Sequence, residues 1–288
     1  MSAQAPRRIR FALVGCGRIS TSHIEALARH RDHAELVAVC DIDPKALRAA
    51  EERTGLPGYS SLDQLLAQVD CDAVILATGV NPRDPKIPGQ DGPNVLSYID
   101  VLLHGKPVGE RVAIVGAGGI GFDVAEFLVT AEGRSPTLHL QEWLAEWGVA
   151  DPAAVRGGVQ RAQPSAPARK VTLLQRKAGK LGRGLGKTTG WIHRAALQMK
   201  QVEMLGGVNY ERITPQGLVV SYGEQRRDGQ LIECDTIVLC AGQEPLRELE
   251  APLRAAGVAV HLIGGALEAG ELDAKRAIDQ GTRLALTL

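Results

Sequence analysis

Along the chain, short apolar runs rich in β-branched residues alternate with stretches whose apolar positions recur every three or four residues. "RFALVG", "ELVAVCD" and "CDAVILATG" read as strands, and "STSHIEALARH" and "PKALRAAEERTG" between them read as helices. That order is one half of a doubly wound fold. Residues 79–107 break the pattern: "GVNPRDPKIPGQDGPNV" holds four prolines and three glycines and reads as a linker, and "LSYIDVLL" after it as a short helix. A second cycle follows, with strand "RVAIVG", helix "GIGFDVAEFLVT", strand "KVTLLQR", helix "GWIHRAALQMK", short β runs over 208–235 and a final strand "TIVLCAG". A second unit of the same kind therefore closes by about residue 242. The strand and helix in "VAVHLIGGALEAGELDAKRAIDQGTRLAL" are too short to stand alone and must add to an earlier sheet.

Residues 131–170 interrupt the second cycle between a helix and its next strand, a connection far longer than βαβ units use. This segment reads as a decorated surface insertion, with a lid as the alternative, and carries a short amphipathic piece at "LQEWLAEWG". With 44% hydrophobic residues and no apolar run of bilayer length, the composition is that of a water-soluble α/β protein. Thirty-three basic residues balance 33 acidic ones, so neither nucleic acid nor a membrane surface is an expected partner, and small dinucleotides are. "MSAQAPRRIR" lacks a signal-peptide apolar region, which points to the cytoplasm. The five cysteines, Cys16, Cys40, Cys71, Cys234 and Cys240, show no C-x-x-C pair or zinc spacing and read as reduced core residues.

Two glycine-rich turns, "FALVGCGRIS" and "VAIVGAGGIG", each follow a strand and open a helix. In G-x-G-x-x-G the first glycine permits the tight turn, the second lets backbone approach a pyrophosphate, and the third lets helix pack on strand. The helix N-terminus then offers N–H groups and partial positive charge to the phosphates. Gly116, Gly118 and Gly121 match in full, with Gly119 and Ile120 inside the turn; Gly15 and Gly17 match, with Arg18 and Ile19 inside it and Ser20 in the third place. The strand ends Thr78, Gly79, Ala241 and Gly242 complete the candidate contacts.

The residue ending each second strand distinguishes the nucleotides. Asp41, 24 residues after Gly17, is placed to hydrogen-bond ribose hydroxyls, which favours NAD(H) and repels a 2′-phosphate. The second copy has Gln175, Arg176 and Lys177 there, with Lys180, Arg183 and Lys187 beyond. Cations in place of an acid favour NADP(H), Arg176 by a bidentate contact; a solvated basic loop is the alternative.

Two resemblances follow from longer runs. Residues 8–78 resemble the N-terminal part of the glucose-fructose oxidoreductase, inositol dehydrogenase and MocA family, in "IRFALVGCGRISTSHIEAL", "LVAVCDIDPKAL", "GYSSLDQLL" and "DAVILAT". From about residue 74 onward the chain resembles the C-terminal part of 2,4-dienoyl-CoA reductase and related flavoproteins, in "ATGVNPRDPKIPGQDGPNVLSYIDVL", "LLQRKAGKLGRGLGKTTGWIHR", "IVLCAGQEP" and "HLIGGALEAGELDAKRAIDQGTRLA". The changeover inside "DAVILATG" suggests a recombinant or designed chimera, or a natural fusion. The second resemblance implies two nested Rossmann-like three-layer domains with mostly parallel sheets: an outer one of residues 1–104 with 243–288, and an NADP(H) domain of 105–242 inserted into it. It also implies flavin or pyrophosphate contacts at Gly264, Gly265 and Ala266, so that FAD competes with NAD(H) for the outer site.

Departures from both patterns limit the chemistry. "HGKPVGE" imitates the sugar dehydrogenases' Glu-Lys-Pro turn, but Lys106 lacks the preceding acid, and the substrate domain of that family is missing. The FMN barrel and four-cysteine cluster of the reductases are missing too, as is a redox-active disulfide. No Ser-His-Asp or paired-carboxylate spacing stands out, and His193 reads as a packing or surface residue. The expectation is a two-site dinucleotide-binding oxidoreductase fragment with no catalytic side chain of its own. A scaffold without turnover is the alternative, and a sugar dehydrogenase a third.

Overall fold

The structure is a computed structural model that describes residues 8–17, 20–131, 136–270, 272–285 and 287–288, without the side chains of Pro136 and Asp228. Backbone contacts divide it into two compact units, Met1–Asn81 with Gln243–Leu288, and Pro82–Gly242. No helix among the described residues is long and apolar enough to cross a membrane.

In chain order the outer unit begins with β1 (Ile9–Val14), α1 (Ser20–Arg29), β2 (Ala34–Cys40), α2 (Pro44–Thr54), β3 (Gly58–Tyr59), α3 (Leu62–Gln68) and β4 (Val74–Leu76). A crossing strand β5 (Val80–Pro82) leads into the inner unit: β6 (Val95–Ser97), α4 (Tyr98–Leu102), β7 (Arg111–Val115), α5 (Gly119–Val129), α6 (Leu140–Trp147), β8 (Lys170–Gln175), α7 (Gly190–Met199), β9 (Glu203–Gly206), β10 (Val208–Thr214), β11 (Gly217–Tyr222), β12 (Arg227–Glu233) and β13 (Thr236–Leu239). The chain returns through β14 (Gln243–Pro245), which pairs with β5, to α8 (Glu250–Ala255), β15 (Val260–Leu262), α9 (Gly264–Leu267) and α10 (Ala274–Ala285).

Local chemistry explains several element ends. Asp43 caps α2 by accepting the Lys45 N–H, Pro44 occupies its first turn, and Gly55 closes it in the left-handed conformation at φ 69°. Ser97 and Asp100 form a reciprocal capping box on α4.

The inner unit has three layers. Its central sheet runs β6-β13-β7-β8-β9 with every pairing parallel. β7 reads "RVAIV" and is buried on both faces after its first residue, as a central parallel strand must be. Alternation then sorts its side chains: Val112 and Ile114 pack with Phe122, Leu128 and Leu197 under the helices, while Ala113 and Val115 pack with Val208, Leu218 and Val220. The latter come from the antiparallel meander β10-β11-β12, which forms the third layer.

Residues 82–104, assigned by sequence to a linker and to the outer unit, belong to the inner one. Val95–Ser97 pairs in parallel with Ile237–Leu239, and Ile87 lies in the core beneath the meander. Three residues are too few to show a periodicity of their own, so only the partner strand reveals them.

The outer unit is more sparsely packed. β1-β2-β3 form a parallel sheet, and the late strand β15 pairs in parallel with β4, giving the C-terminal segment its place. Its cores are small groups around Val39 and Ala50, around Cys40 and Leu65, and around Leu76, Leu253 and Val260.

The insertion is fastened to the inner unit. Lys200 Nζ at the end of α7 lies 2.5 Å from Glu146 Oε1 of α6, with both side chains about nine-tenths buried, and also donates to the Ser165 carbonyl at 3.1 Å. Removing one member strands the other's charge at a cost of about 3–5 kcal/mol, whereas an apolar pair of similar volume avoids that cost. Lys200→Met should therefore lower stability by about 3 kcal/mol, and Glu146→Leu with Lys200→Met should recover most of it. Urea unfolding followed by tryptophan fluorescence checks this, since Trp143, Trp147 and Trp191 all lie in the inner unit.

Candidate functional site

At the carboxyl end of β7 the chain turns through Gly116 at φ +113°, a conformation that disfavours a side chain, and a Cβ there would run into the Cys240 carbonyl. A Cβ on Gly121 would collide with the Gly116 carbonyl, so that glycine lets α5 sit directly against the turn. Gly118 and Gly119, by contrast, face open space, and Gly118 caps α5 without a side-chain hydrogen bond. Helix N–H groups therefore point at a cradle that a Cβ would fill, the arrangement that suits a pyrophosphate. Ile120 packs against the core below, and Ala241 adjoins Gly116.

Beside this turn β8 ends at Gln175, whose side-chain amide donates to the Lys177 and Gly179 carbonyls and shapes the loop. Arg176 and Lys177 project as exposed side chains, with no carboxylate within ion-pair distance among the described residues. Lys180, Arg183 and Lys187 are exposed further along the same loop. The cations thus begin at the strand's end, and none of them has an ion-pair partner among the described residues.

Sequence reasoning missed Tyr210. Its hydroxyl donates to the Leu174 carbonyl at 3.1 Å, the same oxygen that accepts the Gly116 N–H at 2.9 Å. Burial pushes the Tyr210 phenol up, so the group stays a proton donor. One tyrosine of the meander therefore ties β8, at Leu174 two residues before Arg176, to the glycine turn. Nothing in the alternation of "VNYERIT" marks it, because the partner is a backbone carbonyl on a distant strand. Arg83 was missed likewise: its guanidinium donates to the Ala241 carbonyl, and Gly242 at φ +104° makes room for it.

The outer turn differs in chemistry. Gly15 at φ +96° donates to the Cys40 carbonyl, and Gly15 and Gly17 both face open space. The Asp41 carboxylate folds back on the turn, accepting the N–H of Cys16 at 2.5 Å and of Asp43 at 2.8 Å. Arg18 and Ile19 lie outside the described residues. Thr78 donates to the Leu246 carbonyl at 2.6 Å, and Gly265 packs so closely on Gly79 and Val80 that a Cβ has no space. Gly264 donates its N–H to Gln280 at 2.7 Å, and Ala266 is buried with its carbonyl accepting from Arg247. The structure thus brings Thr78, Gly79, Gly264 and Gly265 together and gives each a packing or hydrogen-bonding role.

Residues set aside by sequence have structural partners. Lys106 Nζ lies 2.7 Å from Asp100, whose carboxyl is held well below the usual carboxylate range by Lys106 and by the Ser97 hydroxyl. His193 Nδ1 lies 3.2 Å from Glu126 Oε2, in a pocket to which the inner glycine turn contributes no residue. All five cysteines are free, and burial raises each thiol's pKa, that of Cys240 to about 12, so none is a ready thiolate. No cluster of three or more metal-ligating side chains occurs among the described residues.

Over 195 residues the chain is 27% identical to a metal reductase from Desulforamulus reducens, covering 68% of this chain and 28% of that protein. Over 103 residues it is 32% identical to an inositol 2-dehydrogenase from Burkholderia ambifaria, covering 35% and 27%. The fold matches that of a 2-naphthoyl-CoA reductase with a TM-score of 0.64 at 18% identity, over 99% of this chain and 40% of the other. The chain thus spans well under half the length of these proteins. The model of the pyridine nucleotide-disulphide oxidoreductase family matches residues 38–268, most of the chain and both units, and the chain belongs to that family.

Proposed function

We propose that the chain is a two-site dinucleotide-binding oxidoreductase module, with NADP(H) on the inner unit, FAD or NAD(H) on the outer, and activity from NADPH to an external acceptor. The observation that carries this reading is the fully matched glycine turn beside the exposed Arg176 and Lys177, which have no ion-pair partner among the described residues. Membership of an oxidoreductase family supports it. Bound NADPH supplies a hydride, and a flavin at the outer site accepts one. The chain's own part is placement. Gly118 and Gly119 leave room for the pyrophosphate at the positive end of α5, Arg176 and Lys177 read a 2′-phosphate, and Tyr210 holds the turn and the basic loop in register. Asp41 would meet ribose hydroxyls at the outer turn, and Thr78, Gly79 and Gly264–Ala266 would line a flavin. Of the remaining candidates, Ala241 and Gly242 border the inner turn and Lys187 extends the basic loop.

A second reading draws on the two separate similarities, to an inositol 2-dehydrogenase and to a metal reductase. In it the chain joins a half from the sugar-dehydrogenase family to a part resembling 2,4-dienoyl-CoA reductase, and binds nucleotide without turnover. The Asp41 carboxylate lying on the outer turn suits NAD(H) and supports that origin.

The visible spectrum separates the two. With FAD at the outer site the first reading expects a flavin band in the purified protein that bleaches when NADPH is added without oxygen; a colourless protein that binds NADPH but passes no electrons to an added acceptor supports the second. Arg176→Ala with Lys177→Ala should weaken NADPH by about 30-fold or more, as charged hydrogen bonds of about 1.5–3 kcal/mol are lost. NADH should change by less than about threefold, and equal losses for both would sink the assignment. Tyr210→Phe should weaken NADPH and NADH alike, by about threefold, and cost about 1 kcal/mol of stability. A loss confined to NADPH would show that the tyrosine acts on the basic loop alone.

A further inference from the structure

Part of the insertion, from Thr137 to Arg169, and the outer faces of α5 and α7 line an open-sided pocket of about 900 Å³ to which no residue of the inner glycine turn or of Gln175–Lys177 contributes. Its size falls in the range of small-molecule sites, about 300–1,000 Å³. Besides the Lys200–Glu146 pair at its base, the Gln163 N–H donates to the Ala145 carbonyl at 2.9 Å and the Ala168 N–H to the Val129 carbonyl at 2.9 Å, fixing the insertion to itself and to α5.

The lining specifies a ligand chemistry. Trp143 and Trp147, one helical turn apart on α6, form an aromatic wall with ring centroids 6.4 Å apart, and Phe127 and Ile192 line it from the helices. Lys106, Arg169 and Lys200 are balanced by Asp123, Glu126 and Glu146. Each cation is already bonded: Lys106 to Asp100, Arg169 to the Leu128 carbonyl and Lys200 to Glu146. Among the polar groups of the lining, His193 faces the Glu126 carboxylate through Nδ1 at 3.2 Å; a carboxylate only accepts, so in the neutral ring Nδ1 carries the proton and Nε2 is an acceptor with no partner among the described residues.

We infer that this cavity is a second, non-nucleotide binding site, which takes a neutral aromatic molecule carrying a hydroxyl group, stacked on the Trp143–Trp147 wall and donating its hydroxyl proton to His193. A planar apolar ring matches an indole face, and a hydroxyl donor matches the Nε2 acceptor of His193. The site does not depend on which nucleotide either unit binds.

Isothermal titration calorimetry of the full chain at pH 7 tests this with three probes that share one ring system: 2-naphthol, naphthalene and 2-naphthoate. One saturable site is expected for 2-naphthol, with naphthalene about tenfold weaker and 2-naphthoate weaker still beside Glu126. Ala196→Trp, which fills the cavity, should weaken 2-naphthol by at least about 20-fold. His193→Phe should weaken it about tenfold while leaving naphthalene unchanged. Unaltered circular dichroism and NADPH binding in both variants show that the fold is kept. No saturable binding of 2-naphthol, equal binding by Ala196→Trp, or tighter binding of 2-naphthoate than of 2-naphthol would each overturn the inference.

Discussion

The backbone at Gly116 passes between the carbonyls of Leu174 and Cys240, bonded to one and leaving no space for a side chain against the other. This crossing sets the inner unit. It brings the carboxyl ends of β7, β8 and β13 into contact, seats α5 against the turn through Gly121, and places the first N–H groups of that helix at a clear cradle. Doubly wound folds bind ligands at the carboxyl edge of the sheet for the same reason: helix N-termini and strand ends meet there, and both offer unspent backbone groups. Tyr210 reinforces the crossing from the meander, so the third layer of the unit bears on the geometry of the first turn.

The two glycine turns share a plan and differ in what surrounds them. The inner one is embedded in a five-stranded parallel sheet between two hydrophobic layers, and its neighbouring loop is cationic. The outer one opens a three-stranded sheet with small cores, has Ser20 where the inner one has Gly121, and is capped by the carboxylate of Asp41. A carboxylate and an arginine–lysine pair at equivalent strand ends impose opposite preferences at the adenosine end of a dinucleotide, so one chain presents two electrostatically distinct turns.

The segment 131–170 illustrates how a connection becomes structure. A long insertion is entropically tolerable, since closure cost grows only slowly with length, but it stays ordered only if it buries something. Here α6 lays two tryptophans toward α5 and α7, and a nearly buried lysine–glutamate pair fixes the position. Such a pair contributes little net stability over an apolar one, yet it specifies one arrangement, because no other places both charges against a partner.

Much of this molecule is legible in its sequence. The alternation of strand-like and helical runs, the Asp43–Pro44 start and Gly55 end of α2, and the glycine turns at Gly15 and Gly116 are local properties of covalent geometry and hydrophobic periodicity. The chain states them within windows of a dozen residues. The basic character of Arg176–Lys177 and the acidity of Asp41 are equally plain, since charge is carried by the residue itself. Membership of the inner sheet by Val95–Ser97, the reach of Tyr210 to Leu174, the packing of Gly265 on Gly79, and the conversion of an insertion into the wall of a cavity are pairings between residues far apart in the chain. No local pattern encodes them, because their energy comes from a partner whose position exists only once the sheet has formed. The sequence alone determined where the glycine turns fall and what charge stands beside each. Tertiary structure decided what holds those turns in place, through backbone carbonyls that are identical in every residue and silent in any string of letters.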